Sequence, residues 1–396
     1  MVHDVVVVGG FGHVGLPLAL ALADKGSRVC AVDIDEEALS ILREGEMPFV
    51  EHGAEEVLER VLRNGSLTLS MDPSVISTTR TIVIVIGTPV DRHLNPGFDD
   101  LRAVVQGYLP HLRAGQLIVL RSTIYPGTSE KLHNWIREQG KDIEVAFCPE
   151  RIAQGLAMKE LETLPQIVSA FSEQGVRRAS QLFAALTKEI VVVPPIEAEL
   201  AKLFSNVWRY LKFAAANQFF MIANDHGADF YRIHRAMTTH YERCQDLPKP
   251  GFAAGPCLFK DAMQLAAFNN NSFYLGHAAM LVNEGLPNYV VNMIKRKHDI
   301  SRKTVGILGM AFKADVDDKR SSLSYKLKKI LTFESRKVIC SDVYIQDEGF
   351  VTAEELIRES DLILVGTPHR QYRELRFPPG KIVVDVWNLS GKGCVI

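Results

Sequence analysis

The spacing of three glycines constrains this chain more than any other feature. Gly10-Phe-Gly12-His-Val-Gly15 follows directly on Val5-Val-Val-Val8 and leads into the apolar stretch Leu16 to Lys25. A short β-branched run reads as a buried parallel strand, and the stretch after it as a helix. A second strand, Arg28 to Val32, ends on Asp33. Each part has a physical reason. Gly10 permits the tight turn, Gly12 lets the backbone approach a pyrophosphate, and Gly15 lets the helix pack closely. The helix N-terminus then faces the phosphates, and Asp33 accepts a hydrogen bond from a ribose 2′-hydroxyl. With Phe11, His13 and Val14 between the glycines, the unit reads as a dinucleotide-binding fingerprint. Asp33 favours NAD over NADP, because a 2′-phosphate would meet its negative charge.

Further strands follow: Thr81 to Ile86 before Gly87-Thr88-Pro89, Leu117 to Leu120 before Arg121-Ser122-Thr123, and Val145 to Phe147 before Cys148-Pro-Glu150-Arg151. Strands alternating with helical segments imply a doubly wound parallel sheet. The middle differs. Glu197 to His226 contains no proline or glycine, and Leu200, Leu203, Phe204, Val207, Leu211, Ala214 and Ala215 recur at helical spacing. This reads as one helix of about 30 residues, roughly 45 Å long. More helix follows the Pro248–Pro256 loop, as far as about Lys297. The last part resembles the first: Val305 to Gly309, Lys337 to Cys340, Leu362 to Val365 before Gly366-Thr-Pro368, and Lys381 to Asp385. Gly306 to Gly309 lacks the full fingerprint, so a second dinucleotide is not expected there. The expected fold is α/β, with two Rossmann-like doubly wound domains joined by a helical domain. The boundaries are 1–195, 196–300 and 301–396, in keeping with the roughly 2.6 average domains that 396 residues allow.

A formal charge of −2 argues against a strongly basic nucleic-acid binder. The six cysteines include no CxxC pair, so neither a disulfide framework nor a metal site is expected. No apolar stretch reaches a membrane span, and the N-terminal run is too short for a secretion signal. A cytoplasmic protein with no nucleic-acid or membrane partner is expected.

Chemistry concentrates in a few places. Cys257 lies in Gly255-Pro-Cys257-Leu-Phe-Lys260-Asp261, where a glycine/proline loop meets a helix start. Helix N-terminal amides lower a thiol pKa, and Lys260 adds to that. The alternative is a small buried hydrophobe. Lys202 and Asn206 share one face of the long helix at i, i+4, which by spacing alone reads as an exposed polar pair. Glu150 and Arg151 sit at the carboxyl end of a strand, the crevice zone of open α/β sheets.

Together these residues resemble the UDP-glucose/GDP-mannose 6-dehydrogenase family over essentially the whole length. The likeness runs through Gly10–Pro17, Thr88-Pro89, Ser122–Thr128, Cys148–Arg151, Glu199, Lys202 and Asn206. It continues through Gly255–Asp261, Gly309–Lys313 and Asp317–Arg320. The resemblance implies an NAD domain and a sugar-nucleotide domain flanking a helix used for homodimerisation. It implies four-electron oxidation of the sugar's sixth carbon from alcohol to uronate, for polysaccharide biosynthesis. Cys257 is then the nucleophile that forms a thiohemiacetal and a thioester. Lys202 and Asn206 stabilise the oxyanion, and Asp261 manages protons with a water. Thr123 and Glu150 lie near the reacting carbon and the hydrolytic water. Gly10 to Gly15, Asp33, Thr88, Pro89, Ser122 and Thr123 contact the cofactor. Glu150, Arg151, Lys202, Asn206, Gly255, Lys313 and Arg320 contact the substrate, UDP-glucose or an N-acetylated UDP-hexosamine. Rival readings are a non-catalytic NAD/sugar-nucleotide-binding protein and a two-electron hydroxyacid-type dehydrogenase. Three departures stand out. Ala254-Gly-Pro precedes Cys257 where many relatives have Gly-Gly-Ser or Gly-Gly-His. Gln154 stands where one branch, with many UDP-glucose enzymes, has a second acid; the form here looks closer to the N-acetylhexosamine branch. Trp387 replaces a common arginine.

Overall fold

The computed structural model describes residues 2–87, 98–253, 255 and 257–396. Contacts divide the chain into two compact units, Met1–Phe204 and Ser205–Ile396.

The first unit is built on eight strands: β1 (Val5–Val8), β2 (Val29–Val32), β3 (Leu67–Ser70), β4 (Thr81–Ile84), β5 (Gln116–Leu120), β6 (Ile143–Phe147), β7 (Gln166–Ala170) and β8 (Ile190–Val192). Their order is β3-β2-β1-β4-β5-β6-β7-β8. The chain reverses direction across the sheet between β1 and β4, and this switch point opens a crevice at the carboxyl ends of the strands. The expected all-parallel sheet holds except at one pair. β7 runs antiparallel to β6, with Ala146 opposite Ala170. That strand, β7, and two edge strands were not read from the sequence. β3 alternates Leu67-Thr-Leu-Ser at an edge, and β8 is a three-residue edge strand with Val191 and Val192 exposed. β3 lacks the continuous apolar run that marks a central strand, whereas β8 has one in Ile190–Val193 that went unread. The Gly15–Asp24 helix is buried on all sides from Gly15 to Ala23, which its leucines and alanines permit.

The long helix runs Pro195–Asp225, with proline in its first turn, where a missing N–H costs nothing. Its buried face carries Ala198, Leu203, Val207, Tyr210 and Ala214 at helical spacing. The same face carries Glu199, Lys202, Asn206 and Asn217. Lys202 and Asn206 are only 9% and 6% exposed, so the exposed-pair reading is overturned.

The second unit continues with helices Phe230–Thr238, Leu258–Phe268 and Tyr274–Lys297, then β9 (Thr304–Leu308), β10 (Lys337–Ser341), β11 (Leu362–Val365) and β12 (Ile382–Val384). These four strands are parallel, in the order β10-β9-β11-β12. The helices and the sheet share one apolar core: Phe220, Phe230, Leu286, Val290 and Ile294 pack with Val305, Ile307, Leu327 and Leu364. No helix among the described residues is long and apolar enough to cross a membrane.

Candidate active site

The glycine loop lies at the carboxyl end of β1. The turn itself is made by Gly9, with φ +75, rather than by Gly10. A Cβ at Gly9 would sit 1.7 Å from the Val85 carbonyl oxygen, so only glycine fits. Gly10 serves close packing instead, with Ala31 and the Val7 carbonyl at 2.8 Å from its would-be Cβ. A Cβ at Gly15 would sit 2.0 Å from the Gly9 carbonyl oxygen. Gly12 differs: a Cβ there meets nothing within 4 Å. The Gly15–Asp24 helix that follows has Val14 at its N-cap, with no side-chain hydrogen bond to its first amides. Uncapped amides beside an open cradle fit a pyrophosphate. Asp33 Oδ2 accepts from Phe11 N at 3.0 Å and Oδ1 from Ile34 N at 2.8 Å. Each carboxylate oxygen retains a lone pair for a ribose hydroxyl. These residues therefore fit NAD.

His13 lies 4.1 Å from the Phe49 ring, and its Nδ1 is 3.2 Å from Gln154 Nε2. The loop after β6 thus folds onto the fingerprint. Glu51, fully buried, fixes that loop by accepting from Gly155 N at 2.8 Å and Ala157 N at 2.7 Å. Burial pushes the Glu51 carboxyl upward, and those amides oppose the shift. Ser122 ties β5 to β4, accepting from Ile86 N at 2.9 Å and donating to Ile86 O at 2.7 Å. Thr123 is half-buried beside it. Thr88 and Pro89 lie outside the described residues.

Glu150 is held on both oxygens. Oε2 pairs with Arg121, and Oε1 accepts from Arg151 N at 2.6 Å and Ile152 N at 2.9 Å. Arg121 is 1% exposed and also donates to Gln166 Oε1 at 2.9 Å and Cys148 O at 3.2 Å. Its guanidinium lies 4.7 Å from the Phe183 ring centroid. Removing either partner would strand a buried charge, costing about 3–5 kcal/mol. Sequence reasoning passed over Arg121; the signal was a cation directly after the apolar run of β5. Arg151 is turned onto the Pro165 carbonyl.

In the second unit, Cys257 is exposed and directly precedes the Leu258–Phe268 helix. Its carbonyl accepts from Asp261 N at 2.9 Å, so Asp261 stands one turn on. Asp261 is fully buried, and its Oδ2 accepts from Asn206 Nδ2 at 2.6 Å. Its Oδ1 takes no hydrogen bond among the described residues and faces Lys260 Nζ at 3.7 Å. The Lys260 charge is thus shared with a neighbouring carboxylate rather than reserved for the thiol. Gly255, with φ +122, lies against the Phe312 ring. Phe312 N donates to Asp318 O at 3.0 Å, and Arg320 grips the Asp318 carboxylate through Nε and Nη2. That bond raises the Arg320 guanidinium above its ordinary value, burial opposes it, and Cys257 adds a smaller upward push. Lys313 is half-buried beside Phe312.

The second Rossmann-like sheet repeats the glycine turn, but its acidic residue is already engaged. Gly309 has φ +91 and abuts Thr367, as Gly9 abuts Val85. Asp342, directly after β10, corresponds to Asp33. It accepts from Met310 N at 2.5 Å, Ala311 N at 3.0 Å, Tyr344 N at 2.8 Å and Ile345 N at 3.0 Å. His369 Nε2 lies 3.1 Å from Oδ2. Asp315 N donates to His369 Nδ1, so the proton of the neutral ring sits on Nε2 and points at Asp342. A carboxylate with five donors has little left for a ribose.

The comparisons agree along the whole chain. Residues 4–187 match the NAD binding domain of the UDP-glucose/GDP-mannose dehydrogenase family, 196–284 its central domain and 306–392 its UDP binding domain. The chain is 28% identical to a UDP-N-acetyl-D-mannosamine dehydrogenase of Methanococcus aeolicus, covering 97% of this chain and 91% of the relative. Two solved structures are similar in fold. A UDP-D-ManNAc dehydrogenase from Pyrococcus horikoshii is 26% identical with TM-score 0.90, covering 98% of this chain and 96% of that one. A UDP-glucose dehydrogenase from Pyrobaculum islandicum is 26% identical with TM-score 0.88, covering 97% and 94%. Fingerprint, fold and family models meet in one conclusion: this chain belongs to the UDP-glucose/GDP-mannose dehydrogenase family and is an NAD-dependent nucleotide-sugar dehydrogenase.

Proposed function

We propose that the substrate is an N-acetylated UDP-hexosamine, oxidised at the sixth carbon to the uronate through a thioester on Cys257. One observation carries the chemistry. Cys257 is exposed at a helix start, and a turn later the buried Asp261, braced by Asn206, keeps one oxygen without a hydrogen bond among the described residues. The sugar rests on Gln154 in place of a second acid and on the kind of relative matched.

NAD, when bound by the loop Gly10–Gly15 and by Asp33, supplies the hydride acceptor for both oxidations. The first removes two electrons and two protons from the alcohol and leaves the aldehyde. The Cys257 thiolate then adds to the carbonyl carbon, forming a C–S bond, and the oxygen takes up a proton. Lys202 and Asn206 offset charge on that oxygen as it develops. Loss of a second hydride and the hydroxyl proton leaves the thioester. Water attacks it with Asp261 as proton acceptor, the C–S bond breaks, and thiol and carboxylate separate. Thr123 and the fixed carboxylate of Glu150 line the reacting carbon and the hydrolytic water. Lys313, Arg320, Gly255 and Arg151 are assigned to the substrate. The division 1–195, 196–300 and 301–396 is a functional one: cofactor, catalysis with homodimerisation, sugar nucleotide. A cytoplasmic location suits a reduced thiol, and the uronate suits polysaccharide biosynthesis.

The test is a panel of UDP-, GDP- and dTDP-hexoses with NAD, following NADH. Two NADH per UDP-N-acetylhexosamine are expected, with Cys257→Ser losing complete turnover by about 10³-fold or more. Tight binding without NADH favours a non-catalytic protein. One NADH per substrate favours a two-electron dehydrogenase.

A further inference from the structure

We propose that Trp387 is a positioning residue for Cys257, clamping the loop that carries the thiol onto the second sheet. This rests on the thioester reading.

The loop from Leu247 to Cys257 is held at two glycines, each pressed against an aromatic ring. Gly251 lies on the Trp387 indole: a Cβ there would come within 2.2 Å of Cζ3. Phe252 meets the same ring edge to face, with centroids 6.4 Å apart. The indole is itself fixed, because Nε1 donates to the Gly366 carbonyl at 3.0 Å. Gly255 lies on Phe312, whose ring stands 2.8 Å from its would-be Cβ. Gly366 follows β11, Trp387 comes three residues after β12, and Phe312 belongs to the turn after β9. The cysteine loop is therefore seated across the carboxyl ends of three parallel strands, the edge at which open α/β sheets receive ligands. A third tether comes from the long helix. Gly251 N donates to Asn217 Oδ1 at 2.8 Å, and Asn217 is locked by Asn283 at 2.9 Å.

The consequence is selective. The first oxidation needs a proton acceptor for the alcohol and does not use the thiol. The second needs the sulfur held at the carbonyl carbon, where a misplacement of about 1 Å costs about 10²-fold. Loosening the clamp thus spares the first oxidation and uncouples the second, so that free aldehyde escapes.

The experiment measures NADH per sugar with and without semicarbazide, which condenses with released aldehyde with loss of water. Wild type is expected to give two NADH in both conditions. With semicarbazide, Trp387→Ala and Gly251→Ala should fall toward one, with the first oxidation within about threefold of wild type. Trp387→Phe keeps a ring without the N–H donor and should lie between. Thermal melts identify folded variants; where the two larger lesions unfold, Trp387→Phe decides. Folded variants that keep two NADH, or that lose both oxidations by the same factor, overturn the clamp. Wild type giving no NADH, or Cys257→Ser still giving two, overturns the thioester reading instead.

Discussion

Asp33 and Asp342 stand at the same place in two similar sheets, directly after the second strand, yet only one is free to recognise a ribose. Asp33 takes two backbone amides, whereas Asp342 takes four and a histidine. Burial works against the charged form of Asp342, but His369 and those amides outweigh it and hold the carboxyl below its ordinary value near 3.8. A depressed carboxylate contributes stability that is present above its unfolded value and lost as pH falls through the folded one. Asp342→Asn should therefore cost about 2–4 kcal/mol at neutral pH. The gap from wild type should shrink as the medium is acidified below about pH 4, measured by urea unfolding across that range. The sequence supplied the contrast only in part. A missing third glycine was visible at Gly306–Gly309, but His369 lies far along the chain, and nothing local links it to Asp342. Arg121 behaves likewise: its ion pair with Glu150 depends on strand adjacency, not on spacing. What was legible was local, namely the glycine fingerprint, Cys257 before a helix and Asp261 one turn on.

The strand–turn–helix unit that opens the chain separates folding from binding among its glycines. Gly15 packs against its own turn, so Gly15→Ala should disrupt the first unit, seen as a lowered melting temperature and loss of soluble protein. Gly12 faces open space. Gly12→Ala should melt within a few degrees of wild type yet bind NAD at least about tenfold more weakly by calorimetry, because the added methyl occupies the cradle. The long helix shows the same economy of signal. Its length and apolar periodicity were readable, with bounds within two residues. Its buried polar face was not, because spacing places Lys202 and Asn206 on one side without saying what covers that side. The edge strand β3 was missed because its alternating Leu67-Thr-Leu-Ser lacks the apolar run that would announce it, whereas β8 carries such a run in Ile190–Val193 and was passed over.

At the scale of the molecule, the Pro195–Asp225 helix leaves Phe204, Trp208, Phe219 and Ile222 between 43% and 57% exposed. Covering the exposed half of each such side chain is worth about 1 kcal/mol, a contribution that favours pairing of two chains through this helix. On the proposed homodimer, wild type should scatter as two chains at working concentration and Trp208→Glu as one, read as a halved mass. Wild type that scatters only as monomer would remove the basis for that assembly.

The distribution of the six cysteines carries a last consequence, in terms of oxidative damage. Burial pushes Cys148 and Cys394 up to about 12 and Cys340 to about 11, and Cys30 is shifted the same way. These thiols stay protonated and resist peroxide, which attacks thiolates. Of the remaining two, Cys244 is half-buried and Cys257 is exposed at a helix start, so Cys257 is the sulfur that peroxide should reach first. If Cys257 is the nucleophile as proposed, a sulfinic acid there would end catalysis irreversibly while leaving the fold intact. On the proposed thioester route the same sulfur would be bonded to the sugar's carbon and shielded during turnover, so an enzyme supplied with substrate should outlast an idle one under the same oxidant.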